Sequence, residues 1–230
     1  MTTHYDAIIF GGTSGIGLST AIKFKKLGLS VLSIGRHAET NTALLSNDIH
    51  VKNLDILDSQ EVKKIFFKIQ PKHIILSTSA PLQFGTIKDL NLANAKEMFE
   101  KVWAYLAIIK EAINKIDKLE SITIVSGAIA KNNVAGTVAL KLMASALNEI
   151  TKTLAIELAP VRVNAISPGA TLTPLYDQFE NKEQLLIDMA NNTPLKRIAE
   201  PNEIADAIVF VTLNKNITGS IIDIDSGSNL

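Results

Sequence analysis

The stretch Gly11-Gly12-Thr13-Ser14-Gly15-Ile16-Gly17 constrains this chain more than any other. It follows the apolar run Ala7-Ile8-Ile9-Phe10, which predicts a buried strand, and leads into Ile16–Leu27, where apolar residues recur at helical spacing. A strand, a tight glycine turn and a helix start together make a cradle for a diphosphate. Glycine lets backbone N–H groups approach the phosphates with no Cβ in the way, and the helix N-terminus adds positive dipole. The spacing is G-x-x-x-G-x-G rather than G-x-G-x-x-G. No Gly-Lys-Ser/Thr ending follows, which argues against a nucleoside triphosphate loop. A plain structural turn is the competing reading, outweighed by the loop's place in a first β-α unit. Gly11, Thr13, Ser14, Gly15, Ile16 and Gly17 are its candidate cofactor contacts.

Beyond the loop the pattern alternates. Aliphatic and β-branched runs predict strands at 7–10, 31–34, 50–54, 73–77, 121–125, 162–166 and 221–224, and helical spacing predicts helices near 16–28, 59–69, 92–117, 138–158 and 201–213. Asp58-x-x-Glu61 reads as a capping pair, and Pro201 suits a first helical turn. Strand–helix alternation predicts an α/β fold, a single doubly wound domain over residues 1–230. Its parallel sheet has about seven strands, with helices on both faces. Segment 170–200 is the least regular and follows a strand end, where such folds bind ligands, so it is a candidate substrate loop.

The residues after the second strand bear on the cofactor. A dinucleotide site for NAD usually places an acid there to accept from the ribose 2′-OH. Here Gly35-Arg36 stands at that place and the first acid is Glu39. A guanidinium instead suits a 2′-phosphate, through a bidentate charge-assisted contact. Asp55-Ile56, after the third strand, can meet an adenine, although Asp is also an ordinary turn residue. These positions favour NADP (NADPH) over NAD.

Composition removes several classes. Net charge is zero, with no basic footprint for nucleic acid or an anionic membrane surface. The absence of cysteine excludes disulfides and thiolate chemistry. His4, His37, His50 and His73 are scattered without ligand spacing and read as surface or loop residues, so no metal site is expected. No run is long enough to span a membrane and no leader pattern opens the chain, so a cytoplasmic location is the expectation.

Several ordered motifs then resemble the short-chain dehydrogenase/reductase family over nearly the whole length. Gly11, Gly15 and Gly17 match its glycine loop, with Phe10 where a threonine is usual, and Asp55-Ile56 matches its adenine-contacting pair. Arg162-Val163-Asn164-Ala165-Ile166-Ser167-Pro168-Gly169, with Thr171 and Thr173, is similar to its nicotinamide-contacting segment. Ser77-Thr78-Ser79-Ala80 stands where that family usually has N-N-A-G, and Glu200–Ala205 and Thr218–Asp225 match later features. The resemblance implies hydride transfer between a nicotinamide and a carbonyl or alcohol carbon of a small molecule. It also implies a homodimer or homotetramer, commonly formed through the two long helices.

The resemblance further implies a tyrosine acid/base, a lysine four residues on, a serine orienting the substrate, and an asparagine on the preceding long helix. Lys141 matches the lysine, but Thr137 stands where the tyrosine should be. Ser126, or Gly127 beside it, falls at the serine position, and Lys101 at the asparagine position. A threonine hydroxyl has a far higher pKa and shorter reach than a phenol. Lys101, Lys141, or Ser126 through a water are therefore alternative proton donors, with Tyr176 and Tyr105 as phenols from other directions. Two readings follow: an atypical NADP(H)-dependent oxidoreductase, or a dinucleotide-binding protein without turnover that acts as a redox sensor or assembly partner.

Overall fold

The computed structural model describes residues 2–230. Seven strands form one all-parallel sheet: β1 (Thr3–Phe10), β2 (Val31–Gly35), β3 (His50–Asn53), β4 (Ile69–Leu76), β5 (Ser121–Val125), β6 (Arg162–Pro168) and β7 (Ile221–Ile224). Their order is β3-β2-β1-β4-β5-β6-β7. Seven α-helices connect or follow them: α1 (Gly15–Lys26), α2 (Thr42–Ser46), α3 (Ser59–Ile65), α4 (Leu92–Lys115), α5 (Val138–Glu157), α6 (Lys182–Asn191) and α7 (Pro201–Leu213). This is the doubly wound architecture expected from the alternation.

Two apolar layers sandwich the sheet, and the strand pleat assigns residues to them. Ile8 and Phe10 of β1 face the layer that holds Met98, Tyr105 and Ile108 of α4 and Leu147 of α5. Ala7 and Ile9 face Ala21 and Phe24 of α1 and Ile204, Ile208 and Val211 of α7. Both sides of each central strand are covered, which is why these strands read as continuous apolar runs rather than alternating ones.

Four expectations are corrected. The helix placed at 59–69 stops at Ile65, because Ile69 already belongs to β4 and pairs with Thr3 of β1. The capping pair is one-sided: the Asp58 carboxylate accepts from the Gln60 and Glu61 N–H groups, while Glu61 pairs with Lys64 at 3.0 Å. His73 is neither surface nor loop. It sits buried in β4 with Nδ1 2.9 Å from Ser121 Oγ, whereas His4 and His50 lie in strands with their side chains at solvent. Segment 170–200 also contains a regular element, α6, which its Asn-rich ends conceal.

The strand order reverses between β1 and β4: β1 continues to β2 on one side, and the chain crosses back to place β4 on the other. Open parallel sheets bind ligands at such a switch point, beyond the carboxyl ends of the strands.

Candidate functional site

The glycine loop leaves β1 at the switch point and its local geometry explains its composition. Gly11 has φ +84°, and a Cβ there would lie 2.6 Å from the Ser77 carbonyl carbon and oxygen and from Thr78 Cα. The loop after β1 therefore touches the loop after β4 backbone to backbone. A Cβ on Gly17 would fall 2.1 Å from the Gly11 carbonyl oxygen, so the first turn of α1 can curl beneath the loop only with glycine there. Ser14 is the N-cap of α1 but its side chain makes no capping bond, and the first turn carries no acidic residue. The helix start thus keeps N–H groups free of any side-chain cap, with the dipole uncompensated.

Residues that sequence inspection passes over hold the cradle in place. The Asn41 amide donates to the Thr13 carbonyl at 2.7 Å, and the Tyr105 hydroxyl bonds the Thr78 N–H at 2.9 Å and lies 3.0 Å from Thr78 Oγ1. Gly35, at the end of β2, leaves room for Thr13, whose Cγ2 would be 2.6 Å from any Cβ there. Only the N-cap position of Asn41 hints at its role in the sequence. The Tyr105 contact spans 27 residues and has no local signal.

The adenine side of the site separates two carboxylates. Glu39, the first acid after β2, is already engaged: its Oε1 and Oε2 accept from the Asn53 backbone N–H and side-chain amide, at 3.2 and 3.1 Å. Arg36, two residues after Ile34, is exposed and makes no ion pair among the described residues. Asp55 Oδ1 accepts from the Leu57 N–H at 3.0 Å, the turn role open to it, and Ile56 packs on the core.

Opposite the glycine loop, β6 ends at Pro168 and the chain continues through Gly169. A Cβ on Gly169 would meet Asp225 Cα at 2.8 Å. Thr173 comes back over the cradle, since a Cβ on Gly15 would lie 2.9 Å from Thr173 Cγ2. Thr171 is different from expectation: buried, it gives its hydroxyl to the Gly169 carbonyl at 3.0 Å and bridges to Ala199, so it serves the scaffold. Ser77 contributes backbone, its N–H donating to Phe10 O at 2.8 Å.

The candidate catalytic side chains lie at the same edge. Thr137, N-cap of α5, donates its hydroxyl to the Val134 carbonyl at 2.7 Å. Lys141 Nζ donates to the Ala130 and Asn132 carbonyls, both at 2.8 Å. Ser126 Oγ reaches only the Ile166 carbonyl, at 3.4 Å. Thr137 and Lys141 border a cleft of about 320 Å³ whose other walls include Gly85, Ile87, Val134 and Val138. Lys101 is buried on the inner face of α4, with Nζ 5.2 Å from the centre of the Tyr105 ring and no hydrogen-bond or ion-pair partner among the described residues. Burial alone lowers its pKa to about 8. The two phenols are poor acids, because burial raises both Tyr105 and Tyr176. Tyr176 lies next to Phe179 and three residues beyond Thr173.

Among the described residues, no cluster of side chains has the makeup of a metal site, and no helix is long and apolar enough to cross a membrane.

Comparison with known proteins gives consistent results. The family model described as enoyl-(acyl carrier protein) reductase matches residues 11–229. The uncharacterised oxidoreductase YmfI of Bacillus subtilis is 28% identical over 237 residues, spanning 96% of this chain and 97% of that protein. An NADP-dependent (R)-specific alcohol dehydrogenase of Lentilactobacillus kefiri is 24% identical over 250 residues, spanning 96% of this chain and 95% of that one. A crystal structure of a small-chain dehydrogenase in complex with NADPH superposes with a TM-score of 0.83 at 29% identity, covering 100% of this chain and 99% of the other.

Proposed function

Because this chain belongs to the short-chain dehydrogenase/reductase family and is an oxidoreductase of that type, we propose that it transfers hydride between NADP(H) and a small carbonyl or alcohol substrate. The observation that carries the reading is the contact between the two halves of the cradle. Gly11 and Gly17 have no room for a Cβ, the start of α1 has no side-chain cap, and Thr173 of the segment after β6 touches Gly15. The residues fit a dinucleotide. The free N–H groups at Ser14–Gly17 suit its pyrophosphate, and Pro168, Gly169 and Thr173 border the side where the resemblance puts the nicotinamide. When bound, that group supplies the hydride.

Preference for NADP is supported by two side chains together. Glu39 is committed to Asn53 and so is a poor acceptor for a ribose 2′-OH, while Arg36 is exposed and makes no ion pair among the described residues. A guanidinium free of carboxylates suits a 2′-phosphate. Titration by nicotinamide fluorescence should show NADPH binding at least tenfold more tightly than NADH, with Arg36→Ala removing most of the difference, since one charge-assisted contact contributes about 1.5–3 kcal/mol. Equal affinity for the two cofactors in the unaltered protein would remove Arg36 from the reading.

A second reading, cofactor binding without turnover, is favoured by the state of Thr137 and Lys141. The hydroxyl and the ammonium both already donate to backbone carbonyls. A panel of aldehydes, ketones and quinones separates the two: NADPH oxidation above background supports the enzyme, and bound cofactor with no turnover supports the sensor.

The same reading makes the protein a homodimer or homotetramer that meets through α4 and α5. Their outer surfaces expose Trp103, Val138 and Leu142.

A further inference from the structure

Lys101 is an anomaly that the proposed function does not explain. An ammonium on the inner face of a core helix loses hydration, and proteins almost always compensate it with a carboxylate or with carbonyl oxygens. Lys101 has neither. The face of the Tyr105 ring lies 5.2 Å from its Nζ and attracts a cation weakly compared with a carboxylate.

Its height in the fold follows from the helix it sits on. α4 runs antiparallel to the strands: its last residue, Lys115, accepts at its carbonyl from Gln70 at the start of β4. Tyr105 is level with Thr78, two residues past the end of β4. Lys101 is four residues nearer the helix start, hence about 6 Å farther beyond the strand ends. That places it beyond the carboxyl edge of the sheet, about 6 Å past the level at which Thr78 meets the glycine loop.

The other donors at this edge are engaged with backbone carbonyls or are weaker acids. Thr137 Oγ1 gives its proton to Val134 O, and Lys141 Nζ is held by two carbonyls. The Tyr105 hydroxyl is tied to Thr78, and burial raises the pKa of the Tyr176 phenol above its ordinary value. We propose that Lys101 is the proton donor to the substrate's carbonyl oxygen, replacing the phenol that position 137 lacks. This rests on the proposed function. Arrival of a hydride at the carbonyl carbon, which a bound reduced nicotinamide would supply, moves the C=O π pair onto oxygen. One N–H bond of Lys101 then breaks and an O–H bond forms. The product is the alcohol and Lys101 is left as a neutral amine, which regains its proton from water. In the reverse direction the neutral amine accepts the alcohol proton.

Desolvation leaves Lys101 ionising near neutrality, where an acid of this kind is most effective. The titratable group that faces it is Tyr105, on its own helix. Glu97 and Glu100 of α4 project to solvent, and α3 meets α4 at its far end, where Lys115 contacts the Lys63 carbonyl. No carboxylate contributes to lowering or raising its pKa.

The test is carried out on the intact protein. NADPH affinity, carbonyl reduction across the aldehyde, ketone and quinone panel, and the lysine titration by ¹³C NMR after reductive methylation are compared for wild type, Lys101→Met and Tyr176→Phe. Methionine matches the length of the lysine stem and suits the apolar strip, so Lys101→Met should melt no lower than wild type. It should bind NADPH within about threefold of wild type and lose at least 100-fold in reduction rate. Tyr176→Phe should keep its rate. Wild-type reduction should fall tenfold per pH unit above about pH 8, and one methyl-lysine signal, missing in Lys101→Met, should titrate near that value without substrate. A Lys101→Met rate within threefold of wild type, or a Lys101 signal titrating as an ordinary lysine, would overturn this assignment and leave the proposed function standing. Failure of wild type to bind NADPH, or to turn over any of the panel, would overturn both.

Discussion

Gly11 and Gly28 have nearly the same backbone, φ +84° and +80°, yet a Cβ at Gly28 meets nothing within 4 Å while one at Gly11 strikes the Ser77 backbone. The pair separates conformational freedom from close approach. Gly28→Ala should cost about 1 kcal/mol in urea denaturation, the strain of a left-handed alanine, and leave NADPH affinity unchanged. Gly11→Ala adds overpacking against a backbone that cannot yield, for about 2–5 kcal/mol in total, and should weaken NADPH binding at least tenfold. Equal stability losses in the two variants would show that the Gly11–Ser77 contact does not constrain the loop. At the same scale, Lys101 and Lys141 show how little residue type says about role. Both are lysines near the sheet edge, but two carbonyls neutralise one as a donor, and the other has no partner.

Among the elements, α5 carries two loads. Its inner face, with Leu140, Met143 and Leu147, is core, and its start places Thr137 and Lys141 at the cleft. Its outer face leaves Val138 and Leu142 half exposed or more, and α4 likewise exposes Trp103. If these faces meet a second copy, wild type should sediment as a dimer or tetramer, and Leu142→Glu should shift it to monomer with little change in the monomer's fold. A wild-type monomer at micromolar concentration would rule the interface out. Helix limits were legible wherever a local signal closed them: Pro201 opens α7, with Glu203 accepting from the Glu200 N–H at 2.8 Å. The end of α3 was not legible. The apolar residues Ile65, Phe66 and Ile69 keep helical spacing across the boundary, and only pairing with β1 decides that Ile69 is strand.

For the molecule as a whole, His73 links the sheet to α7. Its Nδ1 meets Ser121 Oγ, which in turn donates to Thr212 O, and Arg162 also donates to Thr212 O at 2.7 Å. Burial is the largest cause holding His73 below its ordinary value of 6.5. The unfolded chain therefore takes up this proton at higher pH than the folded one. Stability due to neutral His73 is present in full above about pH 6.5 and is lost as pH falls through the lower folded value. Melting temperature should decline between pH 7 and 5. Asp6 and Glu203, whose partners Lys72 and Arg197 bring them down to about 2, add their losses only below the carboxylate range. His73→Asn should flatten the decline. An unchanged slope in that variant would place the acid-sensitive group elsewhere.

The sequence by itself determined the doubly wound sheet, the glycine loop and the family. These are written in local signals, namely aliphatic runs of strand length, apolar residues at helical period, and glycines where a backbone must approach. The candidate cofactor side was legible for the same reason, down to an arginine in place of an acid after β2. Only the tertiary structure decided which side chains at the edge remain free. Thr137, Lys141, Thr171 and Glu39 all match a motif position or stand near one, but each is tied to a group that the fold brings to it. Whether a donor is free depends on what lies within 3 Å of it, and those neighbours come from elements far apart in the chain. The lysine at 101, legible only as a departure from pattern, became a candidate acid once the fold had buried most of its side chain and supplied no counter-charge among the described residues.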